Sequence, residues 1–439
     1  MVEGGGIRAW RLAKGLQANG IDVEVAIPFH FELDKVEHAG IKLSKWEYSE
    51  EFKSKMNDFD SVVLLYSRGD LSDYVYKHID DSVQLIVDLY VPIYIEVAAR
   101  NSADRINEYH GFQRDIEYWN IALKRGDLFL YANDNQEMYY LGVLSALGRI
   151  NPLTYYADLL IHLPLGAEVL STENYQEKIK GKIDGIDATD NVIIWFGSIY
   201  PWFEIEQLYQ AYKEFSKSNS AYKLVVLGGK NPFNNLPDFV KKYDYIYSAS
   251  TKDGLINKSI FFVDWVPYEE RLDWLQSGDA VIVINKEGIE NKVAWRTRTL
   301  DLLTTQSIII TNGGDPISEA LHKRQAIIKV GGLSQSAINA AFTQLQQLNS
   351  VDIARMKSEI KTYSSSLDLA KISSHLAAKI DQHYQAPDLD PSLKAQGITV
   401  VVSSTETKAR RLQNSIKREG FLRTSKKIFR KVINKLKLQ

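Results

Sequence analysis

Apolar positions along this chain fall into short continuous runs that alternate with stretches of helical spacing. Ile7, Trp10, Arg11, Leu12 and Leu16 form the first helical set, closed by Asn19-Gly20. Residues 21–27 alternate as a strand. Residues 60–66 and 83–87 are apolar enough for buried strands, with a helix over 71–79 between them. A strand over 127–131, a helix over 135–147 and a strand over 159–163 follow. Strands that are nearly all apolar, separated by helices, predict a mostly parallel sheet in an α/β domain.

Residues 171–190 are polar, with Gly181 and Gly185 among Asp-rich turns, and mark a boundary. The pattern then restarts. Strands are expected over 191–197, 222–229, 260–263, 280–284, 307–311 and 326–330. Helices are expected over 203–215, 269–276 and 295–304. Helices over 334–384 complete this second α/β domain, the last expected to pack back on the first. The domains are therefore set at 1–170, 171–384 and, for a linker and tail, 385–439. A doubly wound domain normally has a strand before its first Gly-rich turn. Here Gly4-Gly5-Gly6 stands at the start, so the first sheet is expected to lack a central strand, and the chain to be a fragment or to have a mis-assigned start.

Composition narrows the class further. Of 439 residues, 45% are hydrophobic and 25% charged, which excludes a disordered or collagen-like chain. Cysteine is absent, so disulfides, thiolate metal sites and Cys nucleophiles are excluded; this suits a cytoplasmic setting. No apolar run reaches the ~18 residues of a membrane span. The eight histidines show no metal-binding spacing, and no metal site is expected. Net charge is -2, but residues 406–439 hold twelve Lys/Arg against two Glu, or +10, leaving -12 for the rest. In that tail Ile416, Phe421, Ile428, Phe429, Val432, Ile433 and Leu436 make an apolar stripe. The expected partner of residues 407–438 is an anionic membrane surface, with a solvated linker or partner-binding helix as alternatives. Nucleic acid is not expected, because the body is acidic.

Several motifs in the second domain occur in a telling order. They are Trp195-Phe196-Gly197-Ser198, Leu224-Val225-Val226-Leu227-Gly228-Gly229, residues 263–271 from Val263-Asp264-Trp265 to Arg271, and Leu300-Asp301-Leu302-Leu303. Together with Gly4-Gly5-Gly6-Ile7-Arg8 and its helix, residues 4–345 resemble GT-B glycosyltransferases, most closely family 4. That resemblance implies two Rossmann-like domains facing a cleft. It implies transfer of a sugar from a nucleotide diphosphate sugar to a hydroxyl of a glycan or lipid-linked acceptor. It implies no metal, and retention of anomeric configuration. The nucleotide sugar is then a co-substrate, and no other cofactor is expected. A peripheral location at the inner face of the membrane, in surface polysaccharide assembly, follows from the basic tail.

Ligands of such domains bind at the carboxyl ends of the strands. Gly197-Ser198 ends a strand and can offer N–H groups to phosphate, or be an ordinary tight turn. The resemblance places the ribose-binding acid at Asp301. Its earlier sugar-contacting Glu corresponds to Val293, with Glu290 the nearest acid. Its diphosphate-pairing Lys is replaced by Pro201-Trp202-Phe203. Arg296 and Arg298, then Lys230, are the candidate replacements, the arginines alternatively pairing with Asp301 or Glu290. Gly5, Gly6 and Arg8 form a candidate phosphate or acceptor loop at a helix N-terminus. Asp88, at a strand end, is a candidate base toward the acceptor, or a turn cap. Trp202 and Tyr268 are candidate stacking platforms, while His110 and His162 are expected to be structural. A non-catalytic sugar-binding or scaffolding module and a nucleotide-sugar epimerase are the competing functions.

Overall fold

The computed structural model describes residues 4–28, 33, 35–65, 70–99, 105–167, 175–232 and 237–395. Residues up to Asp388 form one compact unit, and Leu389 to Gln439 another. In the second unit the helix Pro391–Ala395 is described; the basic segment 407–438 lies outside the described residues.

The large unit has two lobes. The first opens with helix α1 (Gly4–Ala18), then β1 (Glu24–Pro28), β2 (Glu37–His38), β3 (Ile41–Trp46), α2 (Glu50–Asn57), β4 (Ser61–Leu65) and α3 (Asp70–His78). It continues with β5 (Gln84–Asp88), α4 (Ile93–Ala99), α5 (Arg105–Arg125), β6 (Leu128–Tyr131), α6 (Asp134–Ala146) and β7 (Leu160–His162). This lobe holds two sheets. One is three-stranded, in order β1-β3-β2; the other is four-stranded and parallel, in order β4-β5-β6-β7. All five residues of β5 are buried, because helices cover both faces of that strand.

The second lobe runs β8 (Asn191–Phe196), α7 (Ile205–Ser216), β9 (Tyr222–Leu227), α8 (Pro237–Lys252), β10 (Ile260–Val263), α9 (Arg271–Gln276) and β11 (Ala280–Val283). Then come α10 (Ile289–Val293), α11 (Thr297–Thr305), β12 (Ile308–Thr311), α12 (Pro316–Lys323) and β13 (Ile327–Lys329). Its six strands form one parallel sheet in order β10-β9-β8-β11-β12-β13. The chain goes outward from β8 in one direction, then returns and goes outward in the other. The reversal lies between β8 and β11, the crevice in which such sheets bind ligands.

Helices α13 (Gln335–Gln347), α14 (Ser350–Ser365) and α15 (Leu369–Asp381) close the unit. Each has a polar cap: Ser334, Asn349 and Asp368 accept from N–H groups of the first turn. α15 returns to the first lobe and lies against α1. The approach is close: a Cβ on Gly15 would stand 2.2 Å from Ser373 Oγ, and one on Gly166 2.3 Å from Leu369 Cδ2. The lobes also meet across α6 and α10. Gln136 Nε2 donates to the Val293 carbonyl at 2.8 Å and to the Tyr90 carbonyl at 2.7 Å, and Asn135 Nδ2 to the Lys292 carbonyl at 2.7 Å. Among the described residues no helix is long and apolar enough to cross a membrane.

Candidate functional site

The strongest concentration of unsatisfied polarity lies at the β8–β11 crevice. Gly197 follows β8 with φ +83°, a left-handed conformation that suits glycine. β8 and β11 pair in register as Ile193 with Ala280 and Ile194 with Val281. Continuing that register sets Ser198 and Asn285 at one level. Asn285 Nδ2 and Oδ1, Ser198 Oγ and Arg298 Nη1 are all enclosed, and none has a hydrogen-bond partner among the described residues. Buried polar atoms are normally paired, and leaving one unpaired costs about 1–3 kcal/mol. Such atoms gathered at a strand-end crevice mark a place for a polar ligand.

Arg298 supplies the charge. Its Nη2 donates to the Ser198 carbonyl at 2.9 Å. Its guanidinium carbon sits 4.2 Å from the Phe203 ring centre and 5.7 Å from that of Trp195. A Cβ on Gly197 would lie 3.6 Å from that carbon, so the cation rests on the glycine backbone. No carboxylate among the described residues pairs with it. Burial, reinforced by the neighbouring Arg296 cation, pushes its pKa down to about 9. The site thus holds a largely buried positive charge with no anion among the described residues.

The other candidate cations and acids are committed elsewhere. Arg296 precedes α11, in an extended conformation, and so does not share that helix with Arg298. Its Nη1 and Nη2 both bond Glu290, each at 2.8 Å, and Nη2 also reaches Asn291 Oδ1 at 3.1 Å. This buried pair is one of the alternatives given above for the arginines. Asp301 does not face Arg298. Its carboxylate is held by Arg271 Nε and Nη2, both at 3.2 Å, with Arg11 of the first lobe at 3.5 Å. Its expected ribose-accepting oxygens are therefore occupied by arginine. Lys230 is exposed, with Asp244 at 3.5 Å, and belongs to the surface beside α8.

The first-lobe candidates are corrected in the same way. Arg8 is buried and its guanidinium forks onto Asp88, Nε to Oδ2 at 2.7 Å and Nη2 to Oδ1 at 3.1 Å; Nη1 donates to the Pro164 carbonyl at 2.9 Å. Asp88 Oδ1 also accepts from the Tyr90 backbone N–H at 3.2 Å. The proposed base and the proposed phosphate-loop cation thus neutralise each other. Gly5 and Gly6 lie exposed in the first turn of α1, at the helix N-terminus expected of them. Of the aromatics, Tyr268 has one ring face covered by the Arg271 guanidinium at 3.6 Å. Trp202 is half-buried, with its ring 4.9 Å from Tyr200 and 6.2 Å from Phe203. His162 Nε2 lies 3.2 Å from the Ala132 carbonyl.

No family model and no curated protein matches the chain. Solved structures do. Sucrose-phosphate synthase from Thermosynechococcus elongatus superposes with a TM-score of 0.62 at 12% identity, over 87% of this chain and 94% of that one. An alpha-glucosyltransferase in complex with UDP-glucose and DNA containing an abasic site gives 0.60 at 12% identity, over 86% and 96%. The fold is GT-B. Trehalose 6-phosphate synthase from Burkholderia multivorans gives 0.52 at 9% identity, over 71% and 74%. At these identities the likeness concerns the fold alone, and residue roles in this GT-B chain rest on its own geometry.

Asn285, Arg271 and Arg11 were missed by sequence reasoning. Asn285 had a usable signal: it is the first polar residue after the apolar run 280–284, one strand away from Gly197-Ser198. Arg11 and Arg271 had none, because what gives them a role is a pairing with Asp301 across the fold.

Proposed function

We propose that the chain is a glycosyltransferase that takes a sugar from a nucleotide diphosphate sugar and passes it to a hydroxyl of a glycan or lipid-linked acceptor. One observation carries the reading: the unpaired, desolvated Arg298 cation over Gly197-Ser198 at the β8–β11 crevice. A diphosphate there would neutralise Arg298 and receive hydrogen bonds from Ser198 Oγ, Asn285 Nδ2 and strand-end N–H groups. Those donors, fixed before the ligand arrives, would stabilise the charge that grows on the departing diphosphate as the glycosidic bond breaks. The counter-charge would come from arginine, without metal. Asp88 would serve by orienting Arg8 and α1, not by taking a proton. A reaction that retains configuration, as in family 4, would require no free base from that position.

A membrane-peripheral role at the cytoplasmic face, in surface polysaccharide assembly, goes with this reading through the basic segment 407–438. A second reading is a non-catalytic nucleotide-sugar-binding module. It is favoured by one observation: Asp88, Asp301 and Glu290 are each taken up by arginine.

The test is thermal shift with UDP, GDP, dTDP, CDP and ADP, with and without Mg2+, on wild type and Arg298→Met. Ligand at about 100 times its Kd stabilises by about 2.7 kcal/mol. One nucleotide should stabilise wild type without metal and stabilise Arg298→Met by half as much or less. A flat response to all five nucleotides overturns the proposal. Binding without sugar transfer or donor hydrolysis selects the non-catalytic module.

A further inference from the structure

Three buried side-chain amides near the contact between the lobes are paired at both ends. Gln136 Oε1 accepts from the Ala132 N–H at 2.8 Å, and its Nε2 donates to the Tyr90 and Val293 carbonyls. Asn133 accepts from the Gln136 N–H at 3.0 Å and donates to the Val293 carbonyl at 3.2 Å. Asn291 donates to the Gly313 carbonyl at 2.9 Å and accepts from Arg296 at 3.1 Å. Asn285 is different. It is 1% exposed, yet neither Nδ2 nor Oδ1 has a partner among the described residues. Exchanging its nitrogen and oxygen changes nothing, since both ends are open. Its backbone, by contrast, is clamped. The Asn285 N–H donates to Asn312 Oδ1 at 2.9 Å, and its carbonyl accepts from Asn312 Nδ2 at 2.8 Å. On the other side it bridges to Phe203, with the Lys286 N–H donating to the Trp202 carbonyl at 2.8 Å. A fixed main chain thus holds a buried amide ready for an outside partner.

A diphosphate alone does not complete this amide. At neutral pH its oxygens accept hydrogen bonds and donate none. They suit Arg298 Nη1, the Ser198 hydroxyl and Asn285 Nδ2, all of which can donate. The amide oxygen needs a donor instead. We infer that Asn285 selects a sugar ring joined to the diphosphate, its Oδ1 accepting a hydrogen bond from a ring hydroxyl. Nδ2 carries two hydrogens, and can serve a phosphate oxygen and the neighbouring ring oxygen together. Hydroxyls on adjacent ring carbons each donate and accept, which matches the fork of an amide. Replacing such a hydroxyl by hydrogen would leave a buried oxygen unpaired, and sites built in this way reject the analogue. Two rings of a nucleotide sugar carry the required hydroxyls, the ribose and the transferred sugar. The inference rests on the nucleotide-sugar reading above and adds which chemical group the crevice selects.

The consequence is a discrimination made without a free acid. Bare phosphates would meet the Arg298 cation but leave the amide oxygen unpaired, so the crevice favours a diphosphate that carries a sugar ring over pyrophosphate. The acids of α10 and α11 do not supply this selectivity, because Glu290 is held by Arg296 and Asp301 by Arg271. A neutral amide fixed by its backbone takes their place.

The test is calorimetry on the full chain with inorganic pyrophosphate, UDP, dUDP and UDP-glucose. The guanosine series (GDP, dGDP, GDP-mannose) and the adenosine series (ADP, dADP, ADP-glucose) run beside it. Wild type is compared with Asn285→Leu, which keeps the volume and removes both polar atoms. In wild type one nucleotide should bind about tenfold or more tighter than its deoxy form, which assigns Asn285 to the ribose, or the nucleotide sugar should exceed the nucleotide by that factor, which assigns it to the transferred sugar. In Asn285→Leu the same ratio should fall to about one, while pyrophosphate affinity changes much less. Asn285→Ser, which returns one hydroxyl, should recover part of the ratio. Without ligand the melting temperature of Asn285→Leu should hold level or rise, because two unpaired polar atoms have gone. A clear fall in melting temperature for both variants means that the amide is paired within the protein, and overturns the inference alone. So does a ratio near one in wild type, or a ratio that Asn285→Leu leaves unchanged. Failure of every nucleotide to bind wild type overturns the nucleotide-sugar reading, and the inference with it.

Discussion

The two lobes place an arginine at the carboxyl end of a parallel strand, and the two arginines do opposite things. In the first lobe Arg8 is joined to Asp88 by two hydrogen bonds and gives a third to the Pro164 carbonyl. In the second, Arg298 has a carbonyl and two aromatic faces but no anion among the described residues. Arg8 is fully buried and Arg298 half-buried. A charge whose partner is in the chain holds architecture; a charge whose partner is missing is available to a ligand. The difference cannot be seen from residue type, since both are arginines near strand-end turns.

The contrast breaks most visibly through stability. Asp88→Ala leaves Arg8 buried and uncompensated, and is expected to cost about 3–5 kcal/mol in urea denaturation. Arg8→Met combined with Asp88→Leu should recover part of that loss. If Asp88→Ala unfolds like wild type, the pair is not the structural element described here. Arg298→Met should do the reverse. It removes charge-assisted contacts worth about 1.5–3 kcal/mol, so nucleoside diphosphate affinity falls about 10–100-fold by calorimetry. The ligand-free melting temperature should stay level or rise, because an uncompensated cation has been removed. A drop in melting temperature with intact binding would exchange the roles of the two arginines.

A smaller effect sharpens the comparison. Arg298 has its pKa pushed down to about 9, so it is charged below that pH and loses charge above it. Nucleoside diphosphate affinity should be flat from pH 7 to near 8.5 and weaken as pH rises through about 9. Stability without ligand should move the other way. The folded pKa lies below the unfolded value, so the unfolded chain binds more protons above pH 9 and stability rises there. An affinity that is level through pH 10 would place the counter-charge elsewhere. The smallest effect belongs to Lys230→Ala. This exposed residue should change stability by less than about 0.5 kcal/mol and leave nucleotide affinity unchanged.

Much of the second lobe was legible in the sequence because its strands are buried on both faces. The run 260–263 is β10 as expected, and the strands expected over 191–197 and 280–284 are trimmed only at their ends. Such strands advertise themselves as short apolar blocks. Elements that bury only part of a face were not legible. α5 spans Arg105–Arg125 but buries only Asp115, Trp119, Ala122 and Leu123, while Ile106, Tyr109, Tyr118 and Ile121 stay exposed. Its apolar residues do not form one stripe, so the helical period is blurred. β3 was missed for a similar reason: only Ile41 and Trp46 at its ends are fully buried. The site was half-legible. Gly197, Ser198 and Arg298 come together as proposed in one place. Asp301 is held by Arg271, thirty residues earlier, a pairing that spacing cannot display, whereas Arg296 is held by Glu290, six residues earlier, one of the alternatives the sequence offered. The helix expected over 295–304 also begins later, at Thr297, which leaves Arg296 extended ahead of it.

The return of α15 to α1 has a consequence for how the molecule is made. The first lobe is synthesised first, yet part of its covering is residues 369–381, which emerge after the whole second lobe. Leu376, Ala377 and Ile380 share one core cluster with Leu12, Leu16 and Ile86. The nascent first lobe must therefore wait on the ribosome with apolar surface uncovered while about 200 further residues are added, which at ~5–20 residues per second takes ten seconds or more. Chain order and assembly order are not the same in this protein, and the waiting lobe is where a chaperone would be needed.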